Sequence, residues 1–200
     1  MINFPPSGIL GVMPVNTPAP PGLPPARQPS GPYKVCLVCL GNICRSPMAE
    51  VVLREELARA GLAGAVSADS AGTGDWHLGE RMHGPAQAEL ARRGYDGSGH
   101  RARQIQASWL AGYDLLVAMD RKNLASLRRM APPEDAPRIR LLRSFDPALA
   151  KDDPYEGEVP DPYGAPQEHY ALALDLVVAG ARGLAGQLAD LLDPAAQPRA

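Results

Sequence analysis

Short apolar runs alternate with amphipathic segments along most of the chain. Four runs are predicted strands: residues 33–40 and 113–120 have the apolar character of buried strands in a parallel sheet, and residues 65–73 and 138–145 have strand length. Apolar residues recur at helical spacing in four further segments: residues 48–62, 83–95, 121–130 and 167–193. Strands that alternate with helices predict an α/β fold, in which helices cover a parallel sheet.

The first 32 residues differ in composition from the rest of the chain. Prolines recur every few residues there, and neither a helical nor a strand period is present. This composition predicts a disordered tail, partly in the polyproline II conformation. Its segment "APPGLPPARQP" is a candidate ligand for a proline-recognising partner, although such composition is also common in inert tails. We therefore expect a domain over 33–193, flanked by tails over 1–32 and 194–200.

Composition and charge narrow the classes of function. The 200 residues suffice for one domain, and 22 acidic against 20 basic residues argue against broad electrostatic binding of nucleic acid. No apolar run of about 18 residues predicts a membrane span, and no secretion signal is visible. Three cysteines crowded between positions 36 and 44 do not suit a disulfide framework. We expect a cytoplasmic monomer that needs no cofactor and has no membrane or nucleic-acid partner.

The stretch "VCLGNICRSP" (38–47) connects the first predicted strand to the first predicted helix. Ser46 is expected to cap that helix and Pro47 to occupy its first position, while Gly41 permits the unusual dihedral angles of a tight turn. Backbone N–H groups that point inward at a helix N-terminus form an anion site of phosphate size. The residues that contribute this turn are Leu40, Gly41, Asn42, Ile43 and Cys44.

Cys39 and Arg45 flank this turn and suggest its chemistry. The donors that hold an oxyanion also favour a thiolate at Cys39, which is the nucleophilic form of cysteine. The planar guanidinium of Arg45 can fold back and bind two oxygens of a phosphate. Ser46 can cap the helix and also point its hydroxyl hydrogen at the Cys39 sulfur.

Two other interpretations of the cysteines fit less well. A redox pair of Cys36 and Cys39 is disfavoured, because residues three apart on a strand face opposite sides. A zinc site on Cys36, Cys39 and Cys44 lacks the usual ligand spacing. Cys36 is expected to be a small core residue.

Five motifs, taken in order, resemble the low-molecular-weight protein tyrosine phosphatases of bacterial type. They are "CLGNICRS" (39–46), "DSAGTGDWHLG" (69–79), "GSGHRARQI" (97–105), "VAMDRKN" (117–123) and "VPDPYG" (159–164). The resemblance covers about 33–193. It implies a three-layer sandwich with a central parallel sheet of about four strands and helices on both faces. It also implies hydrolysis of phosphotyrosine in protein substrates through a cysteinyl-phosphate at Cys39.

The reaction also needs a proton donor for the leaving group. Three Asp-Pro pairs precede the final predicted helix, at Asp146, Asp153 and Asp161. In the family that this chain resembles, the acid lies fewer than ten residues before the final helix. Asp161 has that spacing, Asp153 lies too far away, and Asp146 is typical of a turn after the last strand. Asp161 is therefore the predicted general acid and base.

The resemblance also implies supporting residues. Asn42, Ser70 and His100 match a hydrogen-bonded group that keeps the loop in shape, while Trp76 and Tyr163 match the walls of the substrate entrance. The family commonly carries a second tyrosine after the first in its acid loop, and Gly164 stands there in this chain.

Cys44 matches a family cysteine that forms a reversible disulfide with the nucleophile. Relatives with other activities also share this fold. Arsenate reductases of this fold use cysteines further along the chain, and none follows Cys44 here. Phosphoarginine phosphatases carry threonine where this chain has Ile43. A non-catalytic anion-binding or scaffold role is the remaining alternative, and the joint presence of Cys39, Arg45 and an acid argues against it.

Overall fold

The computed structural model of the protein describes residues 22–193, which contain a four-stranded parallel sheet. The strands are β1 (Tyr33–Cys39), β2 (Val66–Gly72), β3 (Leu115–Ala118) and β4 (Ile139–Leu141), in the spatial order β2-β1-β3-β4. All three strand pairs are parallel. The predicted α/β class and the number of strands are confirmed. Because β1 lies between two neighbours, its carboxyl end opens at the middle of one sheet edge.

Helices fill the connections between and after these strands. They are α1 (Arg45–Arg59), α2 (Gly84–Arg92), α3 (Ala107–Leu110), α4 (Arg121–Met130) and α5 (Gln167–Leu192). Two 3₁₀ helices, Pro133–Arg138 and Leu142–Phe145, flank β4. Four of the α-helices lie close to their predicted positions, whereas the short α3 was not predicted.

Both faces of the sheet are covered, which explains why β1 is apolar and buried from Val35 onward, after the exposed Lys34. Tyr33, Val35, Leu37 and Cys39 lie in one apolar cluster with residues of α1 and α5, whereas Cys36 and Val38 lie in a second cluster on the other face with residues of α4. Alternate residues of a strand face opposite sides, so a strand covered on both faces has no polar positions to spare. This arrangement gives the three layers that the family resemblance implied.

The last predicted strand is shorter than expected. Residues 138–145 were predicted as one strand, but β4 ends at Leu141 and a 3₁₀ helix follows. Leu142 and Phe145 are both buried, and residues three apart share one side of a 3₁₀ helix. An apolar run of this length fits either conformation, so the sequence could not distinguish them.

Helix α5 packs closely against this 3₁₀ turn. A Cβ atom on Gly183 would lie only 1.8 Å from the carbonyl oxygen of Phe145, so the helix can approach only because glycine stands there. Within residues 22–193, α5 is the one helix long and apolar enough to cross a membrane by length and composition. Its buried side, which includes Leu174, Val177 and Leu184, belongs to the same apolar cluster as α1.

Contacts with the domain begin before the predicted boundary at residue 33. We refer to residues 22–32 as the N-terminal strap. Arg27 donates from its backbone N–H to Asp114 at 2.5 Å and from Nε to the carbonyl of Tyr113 at 2.8 Å, and its guanidinium pairs with Asp135 at 2.7 Å. The Tyr33 hydroxyl donates to the Pro24 carbonyl at 3.0 Å.

The last eleven residues of the predicted tail (22–32) are thus among the described residues, and several of them contact the domain. Asp114 and Asp135 are buried acidic side chains, and a buried carboxylate without a partner is costly. Arg27 supplies one donor to each of them, beside the backbone N–H of Lys34 at Asp114 and the guanidinium of Arg138 at Asp135. The rest of the predicted tail, together with residues 194–200, lies outside the described residues.

We predict that Arg27→Ala lowers the free energy of unfolding by about 1–3 kcal/mol, because it removes the ion pair with the buried Asp135 and the hydrogen bond to the Tyr113 carbonyl. Urea denaturation measures this loss. Arg81→Ala, which truncates an exposed arginine in the loop before α2, is the matched control and is expected to stay within about 0.5 kcal/mol of the wild type. Equal stability of the two variants would contradict a bound strap.

Candidate active site

The turn that joins β1 to α1 contains the candidate phosphate site. Cys39 is the last residue of β1 and Arg45 the first of α1, so both ends of the turn are fixed by regular structure. We refer to residues 40–44 as the phosphate loop. It lies at the carboxyl end of a central strand and at the N-terminus of a helix, where backbone N–H groups are available for an anion.

The helix begins two residues earlier than predicted, at Arg45 instead of Pro47, and Ser46 does not cap it. Cys44 holds the N-cap position and makes no side-chain capping bond. Ser46 therefore lies inside the first turn, with Pro47 next to it, where a missing N–H is still tolerated. Freed from capping, the Ser46 hydroxyl lies 3.0 Å from the sulfur of Cys39.

The unusual backbone conformation in the loop belongs to Asn42 and not to Gly41. Asn42 has φ 54°, a left-handed conformation that few residues other than glycine adopt. Gly41 is needed for a different reason. A Cβ atom there would meet Cδ2 of His77 at 2.9 Å, so the small residue lets the neighbouring loop pack against the phosphate loop.

Asn42 is held in this conformation from three directions. Its Nδ2 donates to the hydroxyls of Ser46 and Ser70, both at 2.9 Å, and its Oδ1 accepts the backbone N–H of Arg103 at 2.9 Å. Nε2 of His100 lies 2.6 Å from the Asn42 carbonyl oxygen. The structure thus brings together Asn42, Ser70 and His100, which the sequence analysis named as supporting residues.

The direction of the hydrogen bond between His100 and Asn42 follows from its acceptor. The carbonyl of Asn42 only accepts, so the His100 ring carries a hydrogen on Nε2. Burial of this ring lowers the pKa of His100. The neutral ring is therefore the form that suits this position.

A chain of hydrogen bonds connects the interior to the sulfur of Cys39. The Ser70 hydroxyl donates to Glu50 at 2.6 Å and accepts from Asn42. The Ser46 hydroxyl accepts from the same amide, and its one hydrogen has two acceptors in reach, the Cys39 sulfur at 3.0 Å and the Ala71 carbonyl at 3.2 Å. The backbone N–H of Asn42 points at the sulfur as well, at 3.3 Å. Sequence reasoning missed Glu50, whose position on α1 gives little sign of this role.

Arg45 is buried between two carboxylates. Its side chain is 2% exposed, and its two terminal nitrogens donate to Asp120 and Asp161, each at 2.6 Å. Burial acts to lower the pKa of Arg45, but the negative groups Cys39, Asp161 and Asp120 together raise it. Among residues 22–193, Nε of Arg45 has no hydrogen-bond partner. That donor is available to a ligand.

Asp120 was not named from the sequence. It caps α4, since its Oδ1 accepts the backbone N–H of Asn123 at 2.7 Å, while its Oδ2 accepts from Arg45. One carboxylate therefore fixes both a helix N-terminus and the guanidinium. The available signal was its position directly after a buried strand, at the edge of the sheet where the phosphate loop also lies.

The aspartates of the three Asp-Pro pairs lie in two different places: Asp161 lies beside Arg45, and the other two lie beside Arg143. Asp161 contacts Arg45 and lines a pocket with Cys39. Asp153 accepts from Arg143 and from the Gly157 backbone N–H, both at 2.7 Å, and these two bonds lower the pKa of Asp153. Asp146 lies 3.7 Å from the same Arg143. Of the three, Asp161 is the one that shares a pocket with Cys39.

The pocket above Cys39 has a volume of about 150 Å³ and mostly apolar walls. Trp76 and Tyr163 stand at its entrance and are 67% and 58% exposed. Both lie where the sequence analysis expected the entrance. The other lining residues are Cys39, Leu40, Gly41, Ile43, Cys44, Arg45, His77 and Asp161.

All three cysteines are free thiols and are buried. Cys44 lines the same pocket as Cys39. Burial and the nearby Cys39 raise the pKa of Cys44 to about 12, so it is protonated at neutral pH. Cys36 faces the opposite side of the sheet and belongs to the core there, as predicted.

Comparisons with known proteins agree with this geometry. Residues 34–192 match the family model of low molecular weight phosphotyrosine protein phosphatases. The chain is 52% identical, over 153 residues, to a low molecular weight protein-tyrosine-phosphatase of Streptomyces coelicolor. This match covers 76% of the present chain and 91% of that relative.

Two solved structures extend the comparison to the fold. The crystal structure of YfkJ from Bacillus subtilis superposes with a TM-score of 0.71 at 37% identity, over 80% of this chain and 97% of that one. A protein tyrosine phosphatase from Entamoeba histolytica superposes with a TM-score of 0.73 at 29% identity, over 78% of this chain and 96% of that one.

Proposed function

The chain belongs to the low molecular weight phosphotyrosine protein phosphatase family, and from that premise we propose that it hydrolyses phosphotyrosine in proteins, and simple aryl phosphates, through a phosphocysteine at Cys39. The observation that carries this proposal is the arrangement around one sulfur. Cys39 lies against the Ser46 hydroxyl and shares its pocket with Arg45 and Asp161. Nucleophile, oxyanion donors and acid are thereby within reach of one bound phosphate.

In the first step the phosphate enters the phosphate loop and is bound by its backbone N–H groups and by Arg45. The free Nε of Arg45, with the terminal nitrogen that now donates to Asp161, forms a fork for two phosphate oxygens. The Cys39 sulfur attacks phosphorus, so an S–P bond forms while the bond from phosphorus to the tyrosine oxygen breaks. Asp161 gives its proton to the departing phenolate.

In the second step water cleaves the phosphocysteine. Asp161, now ionised, takes a proton from the water as its oxygen bonds to phosphorus. The S–P bond breaks, and its electron pair returns to sulfur as a thiolate. The Ser46 hydroxyl at 3.0 Å stabilises that thiolate as the leaving group. Inorganic phosphate then leaves and the site is regenerated.

The entrance supports an aromatic substrate. Trp76 and Tyr163 offer exposed rings on the rim of a pocket whose walls are largely apolar, and rings of this kind pack well against a phosphotyrosine side chain. Gly164 adds no side chain to this rim. We therefore propose tyrosine-phosphorylated proteins as the substrate class.

Cys44 supports a further proposal of redox protection. It lines the pocket beside Cys39, and its raised pKa keeps it protonated, so that it is not itself the first target of an oxidant. An oxidant such as peroxide converts the Cys39 thiolate to a sulfenic acid. The Cys44 thiol can then condense with it, releasing water and forming a disulfide that a dithiol reduces again.

The reduced protein is expected to hydrolyse p-nitrophenyl phosphate without added metal, and vanadate is expected to inhibit it. Cys39→Ala should abolish this activity, because no other side chain can form the covalent intermediate. Rapid acid quenching followed by mass spectrometry should find phosphate bound at position 39. Undiminished hydrolysis by Cys39→Ala would refute the proposal.

Asp161→Asn is expected to lower kcat/KM for phenyl phosphate by about 10²–10⁴-fold, because the poor leaving group then departs without a proton. Asp153→Asn is the matched control. It removes a carboxylate from the same chain segment but from the Arg143 site, so its activity should stay close to wild type. The reverse result would transfer the role of acid to Asp153.

Cys44→Ser is expected to keep most of the activity of the reduced enzyme but to lose its protection. After brief exposure to peroxide, wild type should regain activity with dithiothreitol, whereas the variant should regain less, because sulfenic acid proceeds to sulfinic acid. Cys36→Ser, on the other face of the sheet, is the control. Equal recovery of wild type and Cys44→Ser would dismiss the redox proposal.

A further inference from the structure

The hydroxyl of Tyr170 is a buried polar group with partners on both sides of the active site. Tyr170 lies near the start of α5 and is 1% exposed. Its oxygen lies 3.0 Å from Nδ1 of His83, and it also interacts with the backbone N–H of Gly164 and with the Cys44 side chain. A hydroxyl buried without partners would be costly. Phenylalanine would fill the same space, so the hydroxyl calls for an explanation of its own.

The hydrogen-bonding capacity of this hydroxyl matches its three partners. A tyrosine hydroxyl donates once and accepts twice. The Gly164 N–H can only donate to it. Cys44 is a thiol at neutral pH, because burial and the nearby Cys39 raise its pKa to about 12. The hydroxyl can therefore accept from Gly164 and give its one hydrogen either to Nδ1 of His83 or to the Cys44 sulfur.

On one side, the Tyr170 hydroxyl faces the turn that carries the predicted acid, Asp161. Gly164 lies three residues after Asp161 and has φ 77°, a conformation that favours glycine. The glycine that replaces the expected second tyrosine thus presents its backbone N–H to Tyr170. The ring of Tyr163 lies 5.1 Å from the ring of His83, so the same turn is held at two adjacent residues.

On the other side, the Tyr170 hydroxyl and its partner His83 face the phosphate loop. The backbone N–H of His83 donates to the carbonyl of Ile43 at 2.8 Å, and the ring of His83 lies 5.8 Å from the ring of Tyr170. The Tyr170 hydroxyl also influences the pKa of Cys44, the next residue of the loop. His83, which Tyr170 holds, therefore contacts both the phosphate loop at Ile43 and the acid turn at Tyr163.

We propose that Tyr170 is a positioning residue for the reaction. Its hydroxyl joins the acid turn to the phosphate loop and so fixes the Asp161 carboxyl relative to the Cys39 sulfur. The inference rests on the proposed function, in which Asp161 protonates the leaving group. Proton transfer depends steeply on the placement of the donor, since a misplacement of about 1 Å can cost a factor of about 100.

Tyr170→Phe tests this inference, because it removes the hydroxyl and keeps the ring. The readout is kcat/KM for phenyl phosphate relative to p-nitrophenyl phosphate, because kcat/KM reports the steps up to departure of the alcohol. Nitrophenolate leaves readily without a proton, whereas phenolate needs one. We expect the ratio to fall by about tenfold in Tyr170→Phe. His83→Phe, which removes Nδ1 and keeps an aromatic ring, should also lower the ratio of kcat/KM for phenyl phosphate to kcat/KM for p-nitrophenyl phosphate.

Tyr33→Phe is the matched control, since it removes the hydroxyl of a buried tyrosine whose partner is the Pro24 carbonyl, in the N-terminal strap. It should leave the ratio unchanged. In an Asp161→Asn background, Tyr170→Phe should have no further effect on the ratio, because the two residues act as one unit.

The other outcomes separate the two claims. An unchanged ratio in Tyr170→Phe, or an equal loss with both substrates, would overturn the inference while Asp161→Asn still lowers the ratio. If Asp161→Asn itself leaves the ratio unchanged, the proposed role of Asp161 fails and the inference fails with it.

Discussion

The site depends on a backbone turn that closes around one sulfur within a few residues. Such a turn needs a residue in the left-handed conformation, and here that residue is Asn42. Backbone strain of this kind costs about 1–3 kcal/mol and persists only where surrounding contacts determine it. Asn42 has those contacts, because its side chain and its carbonyl are bonded to Ser46, Ser70, Arg103 and His100. The same bonds that hold the turn also orient a hydroxyl toward Cys39, so shape and chemistry share one network.

Charge balance is the second constraint. A guanidinium that is 2% exposed would be unfavourable alone, and Asp120 and Asp161 compensate it on two sides. The two carboxylates differ in their freedom. Asp120 is also tied to the N-terminus of α4, whereas the Asp161 side chain is 42% exposed. A phosphate that enters would therefore displace the exposed carboxylate from Arg45 more easily than the fixed one.

Local patterns in the sequence predicted the elements, and they failed where distant partners decide the outcome. β1 could be predicted because it is covered on both faces, and α4 because its apolar spacing is local. Arg27 could not be placed, because its acidic partners lie about 90 and 110 positions further on and proline-rich composition usually means disorder. The spacing implied by the family resemblance favoured Asp161 over Asp153, and Asp161 is the one that lines the pocket with Cys39. Tyr170 and His83 carried no local signal, since they meet only after α2 and α5 have packed.

The N-terminal strap binds at the amino ends of the strands. Its contacts are with Tyr33 at the start of β1, Asp114 just before β3 and Arg138 just before β4, whereas Cys39 lies at the carboxyl end of β1. A reporter domain or a surface linker attached ahead of residue 22 would thus be anchored at the pole opposite the substrate entrance. Immobilised in this orientation, the enzyme would present its entrance to bulky phosphorylated proteins without obstruction from the support.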